Sequence, residues 1–495
     1  MIQNFVKRLT EFMGNPADLK VHLLPPTQGK EPQAALLYLS SITDGSKINE
    51  LYLQPIIHTL LDESKLTDLS ELFSHNTFPI YGVTIDKKVS SVARHLFGAK
   101  CVLLANHLKE AIAADVSQWH DRSVTPPETE HSLVGPRDSF IEDINANISM
   151  IRRRIRHEDL LIETFTVGTK SQTAVNLIYM KGLVNTLVLE QLKQRIEAIE
   201  SDIVLDSSQL GQVITNKKKS LNPFPLFQTT ERPDKVVASI MEGRILLLAD
   251  TTPTGVLFPT TVTALYQTTD DYYFPALSGT FIRMVRLVGL FITMILPGLY
   301  VSISSINYDV FRIEFMLAVA ASREGVPYPA YIEVLIMITL LELINEATVR
   351  LPKVIGGTAT IVGGLIIGSA AAQSHLVSNI MIVITGAVAV GSYTVANYMI
   401  GVAWRMSSYA LMLLAIPLGL NGMAIGSAFI LLYLCHIKSM GVPYLSPLST
   451  FQLRELFSDA LLRLPLRMNP IRPSVYSPSA KGTRRARLRK SEDLL

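Results

Sequence analysis

Apolar and polar positions alternate over residues 1 to about 240 at the short spacings of a chain that folds in water. The runs "AALLYLSS" (34–41), "AKCVLLAN" (99–106), "LLIETFTVG" (160–168), "AVNLIYMKG" (174–182) and "EGRILLLAD" (242–250) are short, apolar and bounded by polar residues, and they predict strands. The stretches 48–62, 86–98, 137–156 and 186–199 repeat their apolar positions at helical spacing and predict helices. Strands interleaved with helices predict an α/β region. Turn formers crowd residues 116–136 and divide that region into two subdomains. A later polar stretch, 216–235, reads as a loop.

From about residue 285 the pattern changes. No charge falls between Arg286 and Asp309, none in the fifty-one positions between Lys353 and Arg405, and none between Arg405 and Lys438. A span needs ~20 apolar residues, so 287–306 is expected to cross a bilayer, and the long run to cross twice, as 354–372 and 377–396. Segment 331–349 is apolar enough to cross but carries Glu333, Glu342 and Glu346. A large soluble core is the competing explanation, but soluble helices rarely go so long without charge.

Basic residues flank these segments: Arg283 and Arg286 before the first, Arg350 and Lys353 after the second, then Arg405, Lys438 and the tail "KGTRRARLRK" (481–490). All share one face if the last run crosses as two short spans hinged near Pro417–Gly422. Six crossings then leave both termini inside; five would leave the basic tail outside. The expected fold is therefore a soluble α/β N-terminal region of two subdomains (1–120 and 121–265), followed by an all-α polytopic membrane domain of five to six transmembrane helices (266–440). A cytoplasmic C-terminal segment with a basic tail (441–495) completes it.

Composition agrees: 495 residues, 48% hydrophobic, with 45 basic against 42 acidic side chains. A net +3 argues against a nucleic-acid-coating protein. Cys101 and Cys435 are far apart in apolar surroundings, so no disulfide framework is expected. The N-terminal "MIQNFVKRLTEFMGN" lacks the apolar core of a signal peptide, which suggests a cytoplasmic first domain.

Three groups of residues carry candidate chemistry. Gly357, Gly364 and Gly368 recur at helical spacing and allow close helix approach, either within the chain or in an oligomer or pore-lining face. Thr339, Glu342, Asn345 and Glu346 share a helix face. A carboxylate facing lipid costs several kcal/mol, so this stripe faces protein or water. Glu346 can pair with Arg350 as a local ion pair, or the stripe can line a cation path; Glu342 has no evident basic partner. The cluster Arg152, Arg153, Arg154 and Arg156 lies among Asp138, Glu142, Asp143, Glu158 and Asp159, which favours a salt-bridged interface over nucleic acid. No Walker A loop, Rossmann glycine pattern, HExxH motif or nucleophile elbow occurs, and the histidines lack metal-ligand spacing.

The stretch "GPRDSFIEDINANISMIRRRI" (135–155) resembles a signature of the A subunits of GerA-type spore germination receptors. The segments "LVGLFITMILPGLYVSI", "AASREGVPYPAYIEVLIMITLLELINEATVRLPKVIGGTATIVGGLIIG", "VANY" and "GVPYLSPLS" resemble that family's membrane half in order, and the likeness covers about residues 35–465. Stage V sporulation AF-type paralogues share the architecture. The resemblance implies a spore inner-membrane protein without enzymatic activity or cofactor. It also implies a nutrient-binding B-type partner that is transporter-like, a C-type lipoprotein partner, and a homo-oligomeric, nutrient-gated ion channel. Gly135, Pro136, Arg137 and Arg152–Arg154 match the signature, which implies a role in holding subdomains or neighbouring subunits together. One departure is visible: where the family commonly has glycine before Ser/Thr-Pro, this chain has Thr251-Thr252-Pro253. A secondary transporter and a non-conducting scaffold are the alternative functions.

Overall fold

The computed structural model describes residues 2–24, 34–50, 82–105, 110–117, 132–215, 222–350, 368–450, 455–464 and 473–476, with 127, 130 and 364 besides. The expected helix at 48–62 lies outside them from residue 51, as do Gly357 and most of the expected span 354–372.

The N-terminal half contains two five-stranded sheets. In the first, β1 (Leu19–Leu24), β2 (Ala34–Leu39), β3 (Gly82–Ile85), β4 (Lys100–Ala105) and β5 (Ala111–Asp115) lie in the order β1-β2-β4-β5-β3. In the second, β6 (Leu160–Val167), β7 (Thr173–Met180), β8 (Gln228–Thr230), β9 (Ile245–Ala249) and β10 (Gly255–Phe258) lie in the order β6-β7-β9-β10-β8. The two orders are the same. Every pairing is antiparallel. The helices repeat too. Ile2–Phe12 precedes β1 and packs on Val89–Phe97, between β3 and β4; Ile144–Arg154 precedes β6 and packs on Pro233–Met241, between β8 and β9. The half is thus one topology used twice.

Burial explains the strand sequences. β9, "ILLLA", is buried throughout because helices cover both faces of its sheet. Ile245 and Leu247 face helices Thr186–Glu197 and Ser207–Thr215, while Leu246 and Leu248 face Ile144–Arg154 and Pro233–Met241. A strand buried on both sides reads as a continuous apolar run. The stretch 216–235 is more than a loop, since it contains β8 and the start of helix Pro233–Met241.

The C-terminal half is helical. Among the described residues two helices are long and apolar enough to cross a membrane, Ala276–Ser305 and Tyr398–His436. Arg283 and Arg286 lie inside the first of these rather than ahead of it. The second is a hairpin. Its backbone leaves helical geometry at Gly419 (φ 58°, ψ −137°), and Gly426 beyond the break packs on Leu411 and Leu414 before it. Phe224 touches both Trp404 and Tyr433, at 6.0 and 6.2 Å, so the arms run antiparallel. A β-carbon at Gly419 would run into Asn307, whose Oδ1 accepts the Leu420 N–H at 2.8 Å. The hairpin tip therefore meets the far end of helix Ala276–Ser305.

Helices Ala330–Arg350 and Asn379–Tyr393 pack alongside, and the shorter Ile313–Ser322 packs on the latter. Tyr300 and Val301 cluster with Val334, Val377 and Met381 at the far end, while Leu290 and Met294 cluster with Ile400 and Trp404 nearer the sheets. After the hairpin the chain returns to the second sheet: the Ser439 hydroxyl accepts the Thr260 N–H at 3.0 Å, and Met440 and Val442 join that sheet's core.

Candidate functional site

Helix Ala330–Arg350 carries its acids on a polar seam facing its neighbours. Glu342 does have a basic partner: Arg405, on the first arm of the hairpin, pairs with it at 3.0 Å. The sequence held the signal, since Arg405 is the one charged residue between Lys353 and Lys438. Arg405 also lies over the Tyr398 ring at 5.9 Å. Asn345 Oδ1 accepts the Tyr393 hydroxyl at 3.0 Å, and Thr339 lies against Tyr409. Glu346 pairs with Arg350 one turn on, at 2.6 Å, and both are exposed. The seam thus divides into an interhelical pair at Glu342 and a local surface pair at Glu346.

Glu333, deeper in the same helix, is fully buried. Its carboxylate accepts the Ser378 N–H and hydroxyl at the start of helix Asn379–Tyr393, and Tyr300 donates to it at 3.4 Å. Arg323 lies 3.6 Å away. A carboxylate at a helix N-terminus meets unpaired N–H groups and the positive end of the helix dipole. Glu333 thereby knots three helices at the far end. Periodicity did not single it out, because its hydrogen-bond partners Tyr300 and Ser378 lie 33 and 45 residues away.

Where the sheets meet the helices, the short helix Asp270–Tyr273 sets two carboxylates back to back. Asp270 faces the second sheet, accepting from Arg232 at 3.2 Å and from the Leu133 N–H at 3.0 Å. Asp271 faces helix Ala276–Ser305, accepting from Arg283 and Arg286, each at 3.1 Å, and from Thr268 at 2.8 Å. Burial pushes the Asp271 carboxyl up, but Arg286 and Arg283 more than offset it and hold it below its ordinary value. Arg463, from the C-terminal segment, donates to the carbonyls of Phe274 and Tyr272. We call this short helix the joint.

The signature residues run away from the joint. Gly135 (φ +120°) packs so closely on Tyr273 that a β-carbon would collide with its ring. Pro136 and Arg137 are exposed, as is Arg153. Arg154 pairs with Asp138. Arg152 is buried and reaches the other sheet unit, donating Nε and Nη2 to the two oxygens of Asp18 at 2.7 and 2.8 Å and stacking over Phe97 at 5.3 Å. Of the glycines, Gly368 approaches Ile382 at ordinary contact distance, and a β-carbon at Gly364 would meet open space. Among the described residues no group of three or more His, Cys, Asp or Glu side chains could hold a metal ion.

The model of the Bacillus/Clostridium GerA spore germination protein family matches residues 7–475. Relatives include a membrane protein of Bacillus subtilis named YfkQ, 34% identical over 91% of this chain and 87% of its own, for which no function is given. Spore germination protein KA of the same organism is 31% identical over 95% and 85%. A solved structure, the N-terminal domain of the A subunit of the Bacillus megaterium spore germinant receptor GerK3, is 25% identical. It covers 51% of this chain and 92% of its own, with a TM-score of 0.39. On the family match and these identities, the chain belongs to the GerA family of spore germination proteins.

Proposed function

We propose that this chain is a non-enzymatic A subunit of a spore germinant receptor, crossing the spore inner membrane six times with both termini on the cytoplasmic side. In this reading, several copies assemble into a ring beside a transporter-like B subunit that binds the nutrient and a C-type lipoprotein. Nutrient binding then opens a cation path. Six crossings are supported by the order in which helix ends meet: base to tip along Ala276–Ser305, back along Ala330–Arg350, back again along Asn379–Tyr393, then out and in along the hairpin. The sixth crossing in this reading is the span expected from sequence at 354–372, most of which lies outside the described residues.

The observation that carries the reading is the Glu342–Arg405 pair, set between helix Ala330–Arg350 and the first arm of the hairpin. Glu342 keeps 38% of its side chain exposed. A braced yet accessible carboxylate, repeated around a ring, favours cations by electrostatics. Arg405 holds it in place and limits the charge it presents. The joint supplies the link from the sheets to the first crossing helix.

Spores carrying Glu342→Gln, Arg405→Gln, or the exchange Glu342→Arg with Arg405→Glu test this by nutrient-triggered cation release. Each single variant is expected to change the release rate about tenfold, the equivalent of roughly 1.4 kcal/mol, with the protein still accumulating. The exchange restores the pair and recovers part of the rate, while Glu346→Gln changes little. Wild-type release from both single variants would remove the seam from the mechanism. The break at Gly419 also suits a secondary transporter. Steady gradient-driven uptake by the chain alone in liposomes would favour that reading instead.

A further inference from the structure

Between the second sheet unit and the outer face of the hairpin lies a cleft of about 920 Å³, within the size range of small-molecule sites. Gln212 and Asn222 line its mouth on the sheet side, with Tyr398 at the base of the hairpin. Its apolar wall runs along Val402, Ala410 and Phe429 on the outer face of the hairpin, where Ala410 and Phe429 are exposed. From Met399 to Ala410 the wall is eleven residues of helix, about 16 Å at 1.5 Å per residue. The lining is polar at one end, apolar at the other, and carries no Asp, Glu, Lys or Arg.

Four occupants can be weighed. Water needs two to four polar partners, and the apolar end offers little: the Ser407 hydroxyl there is already donated to the Ala403 carbonyl at 2.8 Å. A helix of a second copy is told apart by the mass of the adduct in the crosslinking test below. An extended peptide would strand its backbone N–H and C=O groups against apolar walls, at a cost of a few kcal/mol each. A fatty chain is thin, has no polar groups along its length, and ends in a head that can stay at the polar mouth. Tyr398 and Tyr433 flank that mouth, as tyrosines do at membrane–water interfaces. The apolar wall also continues onto exposed Leu413 and Leu432 of the hairpin, the surface that faces lipid in the six-crossing reading.

We propose that this cleft is a phospholipid site, holding one acyl chain between hairpin and sheet unit with its headgroup at Asn222 and Gln212. The inference rests on the hairpin lying in a bilayer. Because the two walls belong to different parts of the fold, a bound lipid bridges them and stabilises their contact by linkage.

The full chain, extracted in detergent and stripped of loose lipid, tests the proposal through the phospholipid that remains bound. Near-stoichiometric retention is expected, falling several-fold in Ala410→Trp and Val402→Trp, whose indoles occupy the apolar end of the cleft. Leu413→Trp, outside the cleft, should retain lipid like the wild type. A photo-crosslinking amino acid at Val402 gives a second readout independent of those variants: an adduct of lipid mass supports the proposal. An adduct of protein mass, or equal retention in all three tryptophan variants, overturns it. A chain that leaves the membrane without detergent would instead refute the bilayer placement on which the proposal stands.

Discussion

Thr251 shows how one side chain can sit against its backbone's preference. Its φ is +67°, a region that costs an L-residue about 1–2 kcal/mol and that glycine enters freely. The turn is fixed from both sides: the Thr251 N–H donates to the Glu142 carbonyl at 2.9 Å, and the Thr252 hydroxyl donates to Ala249 O at 2.9 Å. Thr251 itself is exposed, so replacing it sacrifices little packing. Thr251→Gly should therefore stabilise the chain by about 0.5–1 kcal/mol, the relieved strain less the extra freedom glycine gives the unfolded chain. Thr251→Ala, which keeps the strain, should change little. Thermal melting of the detergent-solubilised chain checks this, and a glycine variant no more stable than the alanine variant would refute it. The sequence showed the missing glycine as a departure from a pattern; the positive φ behind it is visible only in the folded turn. Glu342 is a similar case. Its charge was legible, but its partner depended on which helices pack together, which local periodicity does not encode.

At the scale of elements, legibility follows length and burial. The strands at 34–39, 100–105, 160–167, 173–180 and 245–249 are long or apolar enough to stand out. β8 and β10 have three and four residues, and β5, "AIAAD", is mostly alanine; none carries a pattern above background. The joint helix is barely one period long, too short to announce itself, yet its two carboxylates hold the sheets to helix Ala276–Ser305. Asp271 is 2% exposed between Arg283 and Arg286, so Asp271→Asn leaves Arg286 without its carboxylate and Arg283 with Asp459 alone at 3.6 Å, a change that typically costs about 3–5 kcal/mol. The pH dependence has a definite sign. A carboxyl held below its ordinary value by folding binds fewer protons in the folded than in the unfolded chain. Its contribution is complete above the ordinary carboxylate range and is lost as pH falls through the lowered value. Thermal melting should show wild-type stability falling below about pH 4. Asp271→Asn should start lower and lose less over the same interval. Equal acid sensitivity in the two proteins would show that the joint does not titrate.

Over the whole molecule, the signature segment links parts of the fold that the sequence presents as separate domains. It begins against the joint, where Leu133 meets Asp270 and Gly135 meets Tyr273, and ends with Arg152 clamped on Asp18 of the other sheet unit. Beside that clamp the Ala17 N–H donates to the Ile162 carbonyl at 3.2 Å, the first unit bonding directly to β6. Duplication of one sheet topology gives two similar bodies, and the clamp fixes their relation. Arg152 is suited to this because its planar guanidinium meets both carboxylate oxygens at once, which a lysine cannot do. Arg152→Ala leaves Asp18 buried with only Ser41 donating to it through a side chain, at 2.6 Å. Hydrogen exchange on the full chain should then rise at Ala17 and around Ile162 while the interior of β9 stays protected, because the units separate without either sheet unfolding. Arg152→Lys should fall between the two. If the segment also carries motion from sheets to membrane, as a receptor subunit requires, exchange at the joint should rise in Arg152→Ala too, although Arg152 touches none of its residues. Faster exchange at Ala17 with an unchanged joint would leave the clamp structural and cut the segment out of the signalling path.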